Sequence, residues 1–150
     1  MLTSGEKNEV TSDGVYLSLV ATNANDTAVK QKLISQWYDA QCKTVFDEVI
    51  ASVYLVFQKY GVAMPKLTLR DMTSRWGSCQ PKRGMITLNK RLIEAPRNCI
   101  EYVVMHEFIH FLHPNHSKKF YVMLSALMPD WKERKRILES SSNLPVQKGV

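Results

Sequence analysis

The chain has 150 residues, 45% of them hydrophobic and 23% charged, with Gly 6 and Pro 6. This is a globular composition of about one domain, and it excludes wholesale disorder, collagen-like repeats and a pure coiled coil. The net charge of +6 admits an anionic partner such as nucleic acid or a nucleotide, but on its own it describes a solvated basic surface. No apolar run approaches the ~18 residues needed to span a bilayer, so no membrane association is expected. The polar N-terminus lacks the apolar core of a signal peptide. Cys42, Cys79 and Cys99 are odd in number and show no CxxC spacing. Together these features lead to the expectation of a cytoplasmic protein without disulfides.

Residues 1–13 read as a flexible tail and residues 14–140 as a single domain, with a second flexible tail over 141–150. Gly14 to Val20 is β-prone, with Val15, Leu17 and Leu19 alternating. From Ala28 to Tyr60 there is no Gly or Pro. Val29, Leu33, Trp37, Val45, Val49, Val53 and Val56 recur at helical spacing, and Gly61 is a natural stop. A single helix there would be roughly 50 Å long, so a break is expected near Asp39 to Lys43. Lys66 to Met72 reads as a strand, Thr73 to Gly84 as a loop and Met85 to Leu92 as a second strand. Pro96 opens a helix that runs to about Leu112, and Pro114 ends it. Ser117 to Ser140 supplies one or two further helices, jointed at Pro129.

All four histidines lie in the run HEFIHFLHPNH. His106 and His110 are one helical turn apart on one face, so their imidazoles can share one ion. Glu107 lies beside that face, where it can bond a metal-activated water and act as general base. With these residue frequencies HExxH arises by chance in roughly one chain in 200, so the motif is informative. If the helix continued, His116 would lie about 15 Å further along its axis than His106. Pro114 and Asn115 can turn the chain and bring His116 back as third ligand. His113 is the rival, although its position on the last turn also suits a solvated histidine at the helix C-terminus. A closed structural zinc site would want a fourth protein ligand, usually cysteine, which Cys79 could in principle supply. An open three-histidine site with a glutamate between two ligands points instead to hydrolysis at zinc or another divalent transition metal.

In the segment TSRWGSC, Gly77 permits a tight backbone and Trp76 reads first as core. Arg75 is a candidate catalytic group that would stabilise an oxyanion or hold an anion, or else pair with an acidic side chain. Trp76, Ser78 and Asn89 are candidate substrate contacts.

TSRWGSC, GMITLNKRLIEAP, IEYVVMHEFIHFLHPNHSKKF and the MPDWKERK run together resemble the YgjP-like group of predicted metal-dependent hydrolases, also called DUF45, which belongs with the zincin metallopeptidases. The resemblance is specific over about residues 66–140, and residues 1–65 match loosely as a helical preamble. It implies an α+β fold: a small zincin-like domain with a long N-terminal helical segment, a small β-sheet packed on the HExxH helix, and C-terminal helices. The family's ligands and base fall on His106, His110, His116 and Glu107. The histidine spacing also equals that of metzincins, but His113 stands where those have glycine and no Met-turn is evident. Family activities include peptide hydrolysis and nucleoside-triphosphate pyrophosphohydrolysis.

Three readings follow. The first is a zinc metallopeptidase whose substrate pairs with the strand Met85 to Leu92. The second is a metal-dependent nucleoside-triphosphate pyrophosphohydrolase, favoured by Arg75, Lys82, Arg83 and Lys90. The third is a non-enzymatic, zinc-stabilised nucleic-acid-binding module that uses Lys132, Arg134, Lys135 and Arg136.

Overall fold

A computed structural model describes residues 27–140. The strand expected over residues 14–20 and both expected tails lie outside the described residues. The chain divides at Thr44/Val45 into two compact units.

The first helix, α1 (Thr27–Gln58), is unbroken; the interruption expected near Asp39 does not occur. Its length did not require a break, because nothing between Thr27 and Gln58 interrupts the backbone ladder. In the first unit, Leu33 is buried with Val29 and Trp37 against it, one turn away on either side. In the second unit the same helix buries Phe46, Val49, Ile50, Val53 and Phe57, a stripe at helical spacing. α1 ends in a turn where Val62 N donates to Phe57 O. Gly61 takes the left-handed conformation there, with φ 83°, which costs a residue without Cβ little.

The second unit continues as α+β. Strand β1 (Lys66–Arg70), strand β2 (Gly77–Gln80) and strand β3 (Met85–Asn89) form one sheet in the order β1-β3-β2. β3 is central, parallel to β1 and antiparallel to β2. Two expectations change here. Residues 77–80, expected as loop, are a strand joined to β3 through a 3-10 turn at Pro81–Arg83. The strand expected to be available to a peptide, Met85 to Leu92, ends at Asn89 and has a neighbouring strand on both edges; among the described residues, the edge near the cleft without a neighbouring strand is that of β2. The residues of β3 from Ile86 to Asn89 are all buried, as befits a strand covered on both faces.

Helix α2 (Arg97–Ile109) follows Pro96, whose fixed φ suits a helix entry. It is buried almost throughout and packs on β2. Phe108 stacks on Phe57 with ring centroids 5.1 Å apart. Gly77 sets the close approach of β2 to α2: a Cβ there would stand 3.1 Å from Thr87 O and 3.2 Å from a Val103 methyl. α2 ends at Ile109, earlier than Leu112, with His110 as its C-terminal cap, and one further turn carries Phe111 to His113. Helices α3 (Lys118–Leu127) and α4 (Trp131–Ser140) flank Pro129 and pack on α2. No described helix is long and apolar enough to cross a membrane.

Candidate metal centre

His106 and Glu107 lie on the buried stretch of α2, each only 2% exposed. His110 caps the C-terminus of the same helix. The chain then turns through Pro114 and Asn115, and Ser117 caps α3 by accepting a bond from Phe120 N. This places His116 on the turn, back over the helix it left. Ligand atoms of His106, His110 and His116 all lie within 4.8 Å of one another, and the Nε2 atoms of His110 and His116 are 3.1 Å apart. Two imidazole nitrogens at that separation fit a common ion at the ~2.0–2.1 Å typical of zinc–nitrogen bonds.

The surroundings prepare the imidazoles as ligands. His110 Nδ1 lies 3.1 Å from the His113 carbonyl oxygen. Donation of Nδ1–H there leaves the Nε2 lone pair directed at the site. His113 thus serves through its backbone, while its side chain faces a separate groove with Leu112 and Lys118. Burial, with Lys135 adding to it, pushes the His106 pKa down to about 3, so this ring is neutral. Burial also lowers the His110 pKa. Both ring nitrogens of His106 are buried without a hydrogen-bond partner; Glu107 Oε2 stands 3.3 Å from Nδ1 but makes no hydrogen bond with it. A buried nitrogen left unpaired is costly, and a coordinated cation satisfies one of the two. The residues present therefore fit a metal ion.

Phe120 is the residue that sequence inspection missed. It is fully buried, and its ring lies 4.8 Å from those of His106 and His110 and 5.0 Å from that of His116, centroid to centroid. One aromatic side chain thus walls all three imidazoles. Its spacing from Leu124 marks it in the sequence only as a core position.

The site opens into a cavity of about 250 Å³ lined by β2 residues Gly77, Ser78 and Cys79, by Arg75 and by the metal-site residues. Burial raises the Glu107 pKa to about 7 against the opposing charges of His110, His116 and Arg75. Burial and the Glu107 charge push the Cys79 thiol up to about 12. Its sulfur is not among the atoms that converge with the histidines, so a closed four-ligand site has no support among the described residues. Ser78 lines the cavity and Trp76 is buried in the core.

Asn89 differs most from its expected role as a substrate contact. It is fully buried. Its Nδ2 donates to Met72 O at 3.0 Å and to Arg75 O at 2.8 Å, while its Oδ1 accepts from Arg91 N. It therefore clamps the loop and leaves no surface for a substrate.

Three imidazoles converging beside a buried carboxylate, at the end of a cleft with a strand along it, form the donor set of a metal-dependent hydrolase. The family comparison agrees: the chain belongs to the YgjP-like family, metallopeptidase domain, whose model matches residues 1–141. The match thus extends over the N-terminal region that the motifs alone covered only loosely. The fold is similar to that in the crystal structure of the metallopeptidase zymogen of Pyrococcus abyssi abylysin. The TM-score is 0.56 at 19% identity, over 64% of this chain and 93% of that one. No curated protein matches the chain significantly.

Proposed function

We propose that the protein is a zinc-dependent peptidase, with His106, His110 and His116 as ligands and Glu107 as general base. The observation that carries this reading is the junction, across one cleft, of the three-imidazole centre with β2, the outer strand of the sheet among the described residues. Imidazole donors suit zinc, which supplies the Lewis acidity that activates water and polarises a carbonyl. An extended peptide can add its main chain to the β2 edge, which would hold the scissile bond in the cleft in a fixed direction. Glu107 then takes a proton on its carboxylate and returns it to the departing amine. A pKa near 7 suits both halves of that task.

The other two readings find less support. Of the cations invoked for a nucleoside triphosphate, Arg75 lines the cavity whereas Lys82, Arg83 and Lys90 do not. On α4, Arg134 is engaged by Asp130 and Glu101 and Arg136 by Glu133, so two of the four cations of the basic run are already paired with acidic side chains of the protein.

The test is a screen of zinc-loaded protein against peptides and nucleotides with Glu107→Gln as control. The expected result is peptide cleavage that falls at least ~10²-fold in the variant while its zinc content is retained. Nucleotide hydrolysis that depends on Glu107, with peptides untouched, would overturn the assignment.

A further inference from the structure

Among the seven described arginines, Arg75 shares the lack of an ion pair with Arg70, Arg83 and Arg91, but of these four it alone lines the cavity beside the metal centre. Arg97 pairs with Glu48, Arg134 with Glu101 and Asp130, and Arg136 with Glu133. Arg75 forms no such pair among the described residues, although it lines the cavity beside the metal centre. Its backbone is fixed: the Asn89 amide holds its carbonyl at 2.8 Å, and the adjoining Trp76 is buried with its own carbonyl bonded by Asn89 N. The loop is therefore pinned from the central strand without help from the guanidinium. A role in holding the loop, the alternative raised by the sequence, belongs to the main chain and Asn89.

The cavity wall carries only one acidic group, Glu107, which the chemistry requires. Arg75 and a bound divalent ion thus leave the cleft positive, with one guanidinium whose five donors are uncommitted. A transition-state donor must be held rigidly where the oxyanion will form. An exposed guanidinium with no hydrogen bond is not so held. It is suited instead to meet a charge that the substrate brings with it, and a planar fork matches a carboxylate in a bidentate fashion.

We propose that Arg75 is a specificity residue that recognises a carboxylate of the peptide substrate, either an acidic side chain or the chain's C-terminus, lying near the scissile bond. This rests on the peptidase reading and adds to it a preference for acidic substrates. Because the contact is made at the cleft wall and not at the reacting atoms, it acts through KM.

The test uses zinc-loaded full-length protein and short internally quenched peptides. In one arm the peptides differ only by Glu or Gln, placed in turn on each side of the cleaved bond. In the other arm they end in a free acid or an amide. Wild type is expected to favour the carboxylate form in one arm by about tenfold in kcat/KM, expressed in KM, and less so as salt is raised. Arg75→Ala should bring the carboxylate peptide to the level of its neutral counterpart. Arg75→Lys should retain part of the preference, and Arg75→Glu should shift it toward a Lys-bearing peptide. Equilibrium binding of the same peptide pairs to zinc-loaded Glu107→Gln gives a readout independent of turnover.

Peptides cleaved without carboxylate preference, or a uniform fall in kcat for all of them in Arg75→Ala, would overturn the carboxylate role and leave the peptidase reading standing. If wild type cleaves none and the Glu107→Gln protein binds none, the peptidase reading fails and the specificity role falls with it.

Discussion

Replacing Phe120 by Leu tests whether the metal centre depends on its aromatic wall. The ring is fully buried and packs within 5.0 Å, centroid to centroid, of all three ligand imidazoles. His106 is held by burial on α2 in any case, but His110 is half-buried and His116 lies on an exposed turn. Without the ring, these two side chains must be ordered when the ion binds. Ordering a side chain costs about 0.5–1.5 kcal/mol, so the pair costs about 1–3 kcal/mol. At 1.4 kcal/mol per factor of ten, the zinc Kd should rise roughly 5- to 150-fold. The shape change in the core should also lower the stability of the metal-free protein by about 1 kcal/mol. The assay is chelator competition for the Kd, with urea unfolding of metal-free protein on the same preparation. Leu124→Ala is the control, since Leu124 is equally buried one turn along α3; it should reduce stability by about 2–5 kcal/mol and leave the Kd near wild type. A Phe120→Leu protein that binds zinc within twofold of wild type would refute the argument, as would equal Kd losses in both variants.

The metal-free protein should show the cost of burying Glu107. Its carboxyl moves from 4.5 to about 7 on folding, so the stability present below pH 4.5 is lost as pH rises through 7, by about 3 kcal/mol in all. Glu107→Gln, which cannot ionise, should therefore stabilise metal-free protein by about that amount at pH 8 and by nothing at pH 4; urea unfolding with chelator present checks this, and a gain independent of pH would contradict it. Asn89→Ala removes three buried hydrogen bonds and should cost roughly 3 kcal/mol. Limited proteolysis should then cut between Met72 and Trp76 faster than in wild type, and an unchanged cleavage rate there would count against the clamp.

The metal centre was legible in the sequence because it depends mostly on local geometry. A four-residue spacing on a helix puts His106 and His110 on one face whatever surrounds them, and Pro114 must end that helix. The apolar stripe of α1 likewise announced its buried face, since a period near 3.6 needs no knowledge of the partner. The strand order was not legible. The segment 77–80 has a Gly, a Ser and a Gln among four residues, so its propensity is that of a turn; pairing with β3 and packing against Val103 override it. Which strand presents an edge is a property of the whole sheet, and no single strand's alternation records it. The same holds for Asn89 and Phe120. Composition and spacing mark one as polar and the other as core, but the atoms each one touches come from segments up to 17 residues away in the chain. Only the folded chain brings those segments together, and with them it decides that Asn89 holds the loop, that Phe120 walls the imidazoles and that the guanidinium of Arg75 is left facing the cleft.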